Sequence, residues 1–261
     1  MKLVDAHIHL SDPKYGDKIA TVINNSKSAN VVAVVSNSMN LETSKISLRL
    51  TEEYPDFVYA AVGIHPWNVN QLSETELEQT IEFVVHSGAN KGEVVAIGEI
   101  GLDPQYAKRK AQRELQTKVF HEMLRLGEKL RLPLIVHSRW SAPTILEMLS
   151  SYHLSGVLWH WFSSPTEVLP RIIERGDFVS EGPPAVFSDR IQDVVRLVPL
   201  ENLLTETDGP VQYYGAFKDR ATTPALVADV VKAIARTKAV DENMVAEKVA
   251  ENFSRLFGVR L

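Results

Sequence analysis

The sequence predicts a single α/β domain of the (β/α)8, or TIM-type, barrel class, extended by one C-terminal helix. Two observations predict it. Short Val- and Ile-rich segments alternate with amphipathic segments of helical length along the 261 residues. The strand segments are almost continuously apolar, which is typical of parallel strands buried on both faces. A doubly wound open sheet shows the same alternation, and periodicity alone does not separate the two folds.

Eight strands are predicted from these short apolar segments. In chain order they are Lys2–Asp5, Val31–Ser36, Phe57–Gly63, Val94–Glu99, Leu134–His137, Gly156–Trp161, Phe178–Glu181 and Asn202–Thr207. Eight helices are predicted to follow them, over Lys18–Ser28, Leu41–Glu53, Glu74–His86, Lys110–Leu130, Ala142–Ser151, Pro165–Arg175, Ser188–Leu197 and Pro224–Thr237. The spacing of Ser73 and Glu76 is that of a capping box, which indicates a helix start. The extra helix is predicted from Glu242 to Phe257, with Gly258 ending it. No linker or low-complexity segment divides the chain, so residues 1–261 are expected to form one domain.

Composition narrows the possible chemistry. The chain has no Cys, which excludes thiolate catalysis, zinc fingers and iron–sulfur clusters. Any strongly bound metal must therefore use His and carboxylate ligands. The net charge of −5 argues against a protein that coats nucleic acid through a basic surface. No signal peptide or apolar membrane segment is recognisable, so we expect a cytoplasmic protein without a membrane partner, and no obligate protein partner is evident.

Polar residues of ligand type occur at the ends of six predicted strands. Catalytic groups of such barrels lie where the strands end, because the loops there form the mouth. A closed barrel would therefore bring these remote positions to one ring: His7, His9, His65, Glu99, His137, His160 and Asp208.

His7 and His9 form the sharpest local feature. Alternate residues of a strand point to the same face, so both imidazoles can reach one ion at about 2.1 Å. The alternative is a strand-end pair that hydrogen-bonds a loop. For His65, Glu99 or Asp208 taken singly, a structural role is likewise open, because buried polar groups often satisfy loop backbone.

The whole set favours metal-assisted hydrolysis. Four His and two carboxylates suit Zn²⁺ or Mn²⁺ better than Ca²⁺, which prefers oxygen ligands. Six ligands are too many for one tetrahedral catalytic ion and are about right for two ions that share a carboxylate. These residues leave the substrate undecided.

Five motifs in order give a family resemblance: Asp5-Ala6-His7-Ile8-His9-Leu10, Gly63-Ile64-His65-Pro66-Trp67, Gly98-Glu99-Ile100-Gly101-Leu102-Asp103, His137-Ser138-Arg139 and Glu206-Thr207-Asp208-Gly209-Pro210. The series resembles the TatD family of metal-dependent deoxyribonucleases, among the amidohydrolase-like metal-dependent barrels. The resemblance implies a TIM-type barrel that hydrolyses phosphodiester bonds of DNA. It also implies a 3′–5′ exonuclease type of action, with single-stranded DNA or DNA 3′ ends as transient substrate.

The resemblance also implies roles for individual residues. Two divalent ions (Zn²⁺, Mn²⁺ or Mg²⁺) are expected, the first on His7, His9, Glu99 and Asp208 and the second on Glu99, His137 and His160. Glu99 would bridge the ions, Asp208 would act as general base, and His65 would face the scissile phosphate. Arg139 is a candidate phosphate contact, with an ion pair to a neighbouring carboxylate as the alternative. Glu206 is expected to support a ligating His.

Some positions depart from the family pattern. Trp140 follows His-Ser-Arg, where an acidic residue is common in the family, and Trp161 occupies a position where Cys is usual. Thr222-Thr223-Pro224 replaces the usual Asn-Glu-Pro, and Pro104-Gln105 replaces the usual aromatic residue. The ligand positions are intact, so a shifted substrate preference is expected. The alternatives are a hydrolase of small esters, lactones or amides and a catalytically silent binding protein. The related small-molecule hydrolases often use a carboxylated Lys at the position of Glu99, which favours the TatD interpretation.

Residues of the predicted loops fit nucleic acid without requiring it. Lys108-Arg109-Lys110 with Arg113 forms a basic cluster after the fourth strand, which would hold phosphates or be a solvated first helical turn. Six aromatic residues lie in or beside strand-end loops, where their rings would stack on unpaired bases or pack the loops: Trp67, Tyr106, Trp140, Trp161, Tyr213 and Tyr214.

Overall fold

The computed structural model describes residues 1–89, 92 and 94–261. Eight parallel strands form one sheet in the order β1 to β8, so that each strand pairs with its neighbour in sequence. They are β1 (Leu3–Ile8), β2 (Val31–Asn37), β3 (Val58–Val62), β4 (Val94–Gly101), β5 (Leu134–His137), β6 (Val157–Trp159), β7 (Phe178–Glu181) and β8 (Leu203–Thr205).

The sheet curves until its two edges meet. The Thr205 hydroxyl donates to the carbonyl of Val4 at 2.7 Å. The backbone N–H groups of Thr207 and Asp208 both donate to the carbonyl of His7, at 3.3 and 2.9 Å. These contacts join the end of β8 to β1, which a doubly wound open sheet does not do. The predicted (β/α)8 barrel is therefore confirmed.

The helices cover the outside of the sheet. They are α1 (Ile19–Ser28), α2 (Leu41–Glu53), α3 (Pro66–Val69), α4 (Glu74–Gly88), α5 (Lys110–Leu130), α6 (Ala142–Leu149), α7 (Leu169–Glu174), α8 (Asp189–Leu197), α9 (Val227–Lys238) and the C-terminal α10 (Glu242–Phe257). The predicted capping box is present, because the Ser73 side chain accepts from the backbone N–H of Glu76 and the Glu76 carboxylate accepts from that of Ser73. Gly258 ends α10 in the left-handed conformation, at φ +68°.

Two predicted helices differ from the observed ones in a way that proline explains. The segments predicted from Pro165 and from Pro224 each begin with a short 3₁₀ turn, and the α-helix starts only at Leu169 and at Val227. Proline has no N–H to donate and a fixed φ, so it suits the start of a helical segment. The short helix α3 was not predicted, because its four residues are too few for periodicity to reveal.

The core lies inside the barrel and between the sheet and the helices. Every residue of β1, β3, β4, β5 and β7 is buried, as expected for strands covered on both faces. Burying each Val, Leu or Ile side chain contributes roughly 1.5–3 kcal/mol, so these strands form a rigid frame for the loops at their carboxyl ends. Among the helices of the described residues, none combines the length and apolarity that a membrane span requires.

Candidate metal centre

His7 and His9 lie at the mouth of the barrel, at the end of β1. Their Nε2 atoms are 3.3 Å apart, although both rings are attached to alternate residues of one strand. The Nδ1 atom of His9 is 3.0 Å from the carbonyl oxygen of Asn37, to which it donates. This hydrogen bond leaves the lone pair of His9 on Nε2, directed towards His7 and available to a cation.

Two carboxylates complete this first group of ligands. The Oε2 atom of Glu99 lies 3.2 Å from Nε2 of both His7 and His9. The Oδ1 atom of Asp208 lies 3.4 Å from the same two nitrogens. Two nitrogens and two oxygens from three parts of the chain thus converge on one point. The structure brings together the four residues that were predicted to hold the first ion.

The other oxygen of Glu99 faces a second group of side chains. Its Oε1 atom lies 2.9 Å from Nδ1 of His137 and 2.9 Å from Nε2 of His160. His65 approaches the same oxygen with Nε2 at 3.0 Å. The carboxylate of Glu99 is buried between the two groups, with one oxygen directed to each. This is the arrangement expected of a carboxylate that bridges two cations.

Asp208 takes an unusual backbone conformation just after β8. Its φ is +48°, in the left-handed region that residues with a Cβ rarely occupy. The buried carboxylate of Asp5 anchors the neighbouring backbone, because it accepts hydrogen bonds from the N–H of His7 at 3.2 Å and from the N–H of Thr207 at 3.1 Å. Asp5 therefore ties the two parts of the chain that carry His7 and Asp208.

His137 is held by a residue to which the sequence assigned no role. Its Nε2 atom donates to Oδ2 of Asp103 at 3.0 Å, and the indole Nε1 of Trp67 donates to the same oxygen at 2.8 Å. Asp103 therefore orients the ring so that Nδ1 faces Glu99. The signals in the sequence that pointed to Asp103 were its place at the end of the motif that begins at Gly98 and its position four residues after Glu99.

Glu206, which was expected to support a ligating His, lies beside His160. Its Oε1 atom lies 3.5 Å from Nδ1 of His160, and its Oε2 atom accepts from the Ser180 hydroxyl and, at 3.3 Å, from the backbone N–H of Trp161. Glu181 is a second buried carboxyl in this region that the sequence analysis did not single out. Burial, together with the nearby charge of Glu206, raises the pKa of Glu181 well above its usual range.

His65 differs from the other histidines of the cluster. Its Nδ1 atom accepts a hydrogen bond from the backbone N–H of Trp67 at 3.0 Å, so the proton of the neutral ring is on Nε2. Burial lowers the pKa of His65 to about 4. His65 thus presents a neutral N–H group to Oε1 of Glu99, and such a group suits a hydrogen bond to an anion better than coordination of a cation.

Without metal, protons on the imidazoles balance the negative charges of the carboxylates in this cluster, as bound cations would. Burial disfavours the charged form of each group, but the opposite charges outweigh it at several positions. The nearby negative charges of Asp208 and Glu99 raise the pKa of His9 to about 10, and Glu99 raises the pKa of His160 well above its usual value. The surrounding imidazoles hold the pKa of Glu99 well below its usual range.

This donor set fits divalent ions. The buried Oε2 atom of Glu99 has no hydrogen-bond donor among the described residues, although two imidazole nitrogens lie close to it. Imidazole nitrogen and carboxylate oxygen are the ligands that Zn²⁺ and Mn²⁺ accept. Ligand atoms of three overlapping groups lie close enough to share an ion: His7, His160 and Asp208; His7, His9 and Glu99; and His65, Glu99 and His137.

The remaining predicted contacts lie outside the buried cluster. Arg139 is exposed, and none of the Lys or Arg ion pairs among the described residues involves it. Arg113 donates to the carbonyls of Ala107 and Lys108, at 3.2 and 2.7 Å, so it braces the loop. Lys110 pairs with Glu114 at 3.7 Å on the helix surface. The basic cluster is thus in part a structural feature of the start of α5.

The predicted aromatic residues divide into exposed and packed ones. Tyr213 is buried against Trp161 and Phe217, so it packs the loop after β8. Trp140 and Tyr214 are exposed, at 61% and 81% of their surface. The structure therefore leaves only part of the predicted aromatic set accessible to a substrate.

A (β/α)8 barrel with clustered His, Glu and Asp ligands at its strand ends defines the class of metal-dependent hydrolase barrels. Within that class, the chain belongs to the TatD related DNase family, which it matches over residues 4–258. It is accordingly a metal-dependent hydrolase acting on ester bonds. The resemblance expected from the motifs is confirmed.

Individual relatives align along almost the whole chain. The Bacillus subtilis protein named uncharacterized metal-dependent hydrolase YabD is 30% identical, covering 98% of this chain and 99% of its own. Human deoxyribonuclease TATDN3 is 30% identical and covers 98% of this chain and 94% of its own. The crystal structure of YJJV, a TatD homologue from Escherichia coli K12, superposes with a TM-score of 0.89 at 26% identity, over 99% of this chain and 98% of that one.

Proposed function

We propose that the protein is a deoxyribonuclease of the 3′–5′ exonuclease type that acts with two divalent ions. The proposal depends on one observation: the two carboxylate oxygens of Glu99 face two separate groups of candidate ligands. Membership of the TatD related DNase family and the similarity to human deoxyribonuclease TATDN3 favour DNA as the substrate.

His7, His9, Glu99 and Asp208 would hold one ion, and Glu99, His137 and His160 the other. Bound there, Zn²⁺, Mn²⁺ or Mg²⁺ would lower the pKa of water and neutralise charge on the phosphate. Asp103 keeps His137 in the orientation that faces Glu99, and the carboxylate of Glu206 lies 3.5 Å from Nδ1 of His160.

The chain's own residues then supply proton transfer and orientation. The surrounding imidazoles hold the pKa of Asp208 below its usual value, so its carboxylate is ionised and accepts a proton from the attacking water. His65 would donate its Nε2–H, which faces Oε1 of Glu99 in the structure, to a phosphate oxygen of bound substrate, since its Nδ1 already accepts from the N–H of Trp67. Arg139 is exposed near His137 and contacts a phosphate along the substrate strand.

An exonuclease assay tests the proposal. The protein is stripped with chelator, reloaded with Mn²⁺, Mg²⁺ or Zn²⁺, and incubated with 5′-labelled single-stranded DNA, duplex DNA, RNA and a chromogenic phosphodiester. We expect DNA products shortened by one nucleotide at a time from the 3′ end. His7→Asn should abolish this activity, whereas His153→Asn, which alters an exposed His away from the strand ends, should retain it.

Three other outcomes would contradict parts of the proposal. Internal cuts in circular DNA would exclude the exonuclease type of action. Cleavage of RNA alone would exclude DNA as the substrate. Hydrolysis of a lactone or amide without turnover of any phosphodiester would assign the protein to the small-molecule hydrolases instead.

A further inference from the structure

Two aromatic rings stack at the rim of the metal centre. The ring centroids of Trp67 and Tyr106 are 4.5 Å apart, and the ring planes differ by 24°. Trp67 is the half-buried member, and Tyr106 is the outer one, with 43% of its surface exposed. Tyr and Trp are enriched at interfaces, because each joins a large apolar ring to a polar group.

The inner ring, Trp67, is hydrogen-bonded to Asp103, the residue that orients the predicted metal ligand His137. Trp67 donates from Nε1 to Asp103 at 2.8 Å, and Asp103 in turn accepts from His137 at 3.0 Å. The edge of Trp67 also meets His65, with ring centroids 4.8 Å apart. The stack is therefore fixed relative to the residues that face the scissile bond in the proposed function.

The outer ring is held in place by its backbone. The N–H of Tyr106 donates to the carbonyl of Asp103 at 3.1 Å, and the carbonyl of Tyr106 accepts from the side chain of Asn70 at 3.3 Å. The exposed cations Lys108 and Arg109 follow two and three residues later in the chain. A rigid aromatic plate beside cations matches a planar base attached to a phosphate backbone.

We propose that the Trp67–Tyr106 stack is a binding platform for one unpaired base of the DNA substrate, which stacks on the outer face of Tyr106. The inference rests on the proposed function and specifies its substrate as a single-stranded or frayed end. A base within a duplex has both faces covered by its neighbours, so it cannot stack on a protein ring without leaving the helix.

The test compares single-stranded oligonucleotides that differ at one position near the 3′ end. One series carries ordinary bases and the other a tetrahydrofuran abasic unit, moved through the last four positions. For the wild-type protein, kcat/KM should fall about 5- to 100-fold when the abasic unit occupies one of these positions, in line with base–aromatic stacking energies.

Two substitutions of Tyr106 separate stacking from simple packing. Tyr106→Leu keeps an apolar side chain without a ring, and it should reduce the ratio of kcat/KM between the base-containing and abasic substrates to about one. Tyr106→Phe keeps the ring and should retain most of the ratio. Equal ratios in the wild type and Tyr106→Leu, or equal losses in the Leu and Phe variants, would overturn the proposal.

A spectroscopic measurement keeps the test independent of turnover. The probe is an oligonucleotide with hydrolysis-resistant phosphorothioate links and one 2-aminopurine, placed in turn at each of the last four positions. Its fluorescence should fall when it binds the metal-loaded wild type or the Phe variant, but not when it binds the Leu variant. If the wild type cleaves no DNA, the proposed function fails; absence of quenching with wild-type DNA cleavage intact would reject the platform alone.

Trp140 provides a competing position for the base. It is exposed on the neighbouring loop, which the Ser141 hydroxyl joins to the carbonyl of Leu102 at 2.7 Å. The platform predicts that Trp140→Ala retains the base-to-abasic ratio. A ratio that collapses in Trp140→Ala and persists in Tyr106→Leu would place the base on the other loop and overturn the assignment.

Discussion

Gly101 and His137 meet so closely that a Cβ atom on Gly101 would overlap the carbonyl oxygen of His137. The two residues pair across β4 and β5, and Gly101 has a φ of +146°, which side chains other than glycine rarely adopt. The close approach of the backbones sets the relation between Glu99 on one strand and His137 at the end of the other, whose facing atoms are 2.9 Å apart. A residue without a side chain thus determines the geometry of the second ligand group.

Gly101→Ala is therefore expected to destabilise the protein and to weaken the second ion site. The strands must separate to admit the methyl group, which costs about 1–3 kcal/mol of unfolding free energy. Gly176→Ala is the matched control, because Gly176 also has a positive φ, of +76°, but no atom lies near its added Cβ. Thermal unfolding and bound metal per chain measure both effects. A loss of metal in the control equal to that in Gly101→Ala would contradict the steric explanation.

Glu99→Gln should reduce metal binding at both sites. The amide keeps the size of the side chain, but it removes the negative charge that both ligand groups share. His9→Asn and Asp103→Asn should each affect mainly one site, because His9 belongs to the first group and Asp103 supports His137 of the second. Elemental analysis after dialysis gives ions per chain. Full occupancy in Glu99→Gln would refute the bridging role.

Asp208→Asn should lower turnover far more than DNA affinity. A group that accepts a proton in the transition state contributes about 10²- to 10⁴-fold to the rate, while the substrate strand keeps its other contacts. Because Asp208 also lies among the metal ligands, the comparison requires saturating metal and a measured ion content. Single-turnover kinetics measure the rate of cleavage, and oligonucleotide binding measures the affinity for DNA. Equal losses in rate and affinity would argue against Asp208 as the base.

The metal-free protein should lose stability as pH rises from about 6.5 to 10. The pKa of His9 increases from 6.5 to about 10 on folding, despite burial, because Asp208 and Glu99 bind its charged form. The folded state therefore holds this proton more tightly than the unfolded state. The resulting stability is fully present below pH 6.5 and is lost as pH passes through 10.

Unfolding temperatures in chelator across this pH range measure the effect, with His9→Asn as the comparison. The variant should show a flatter dependence on pH between 6.5 and 10. Adding divalent ions should also flatten the wild-type curve, because bound cations replace the proton. Identical slopes for the metal-free wild type and variant would show that His9 does not carry the proton.

Local patterns in the sequence determined the order of the elements and the bounds of some of them. Helices α2 and α5 and strands β5 and β7 have the bounds that hydrophobic periodicity predicted. The candidate ligands could be found for the same reason: they follow buried strands, and parallel strands of a barrel end on one face. Hydrophobic periodicity and the residue types at strand ends are local features of a few neighbouring residues, so the sequence shows them directly.

Tertiary structure alone decided how those residues meet. Closure of β8 on β1 distinguishes the barrel from an open sheet, and it depends on contacts between residues about 200 positions apart, such as Val4 and Thr205. The division of the Glu99 oxygens, the contact of Asp103 with His137, and the burial of Tyr213 beside an exposed Tyr214 likewise depend on packing between distant segments. Periodicity identifies the face on which a side chain lies, whereas its partners are set by the three-dimensional arrangement of all eight strands.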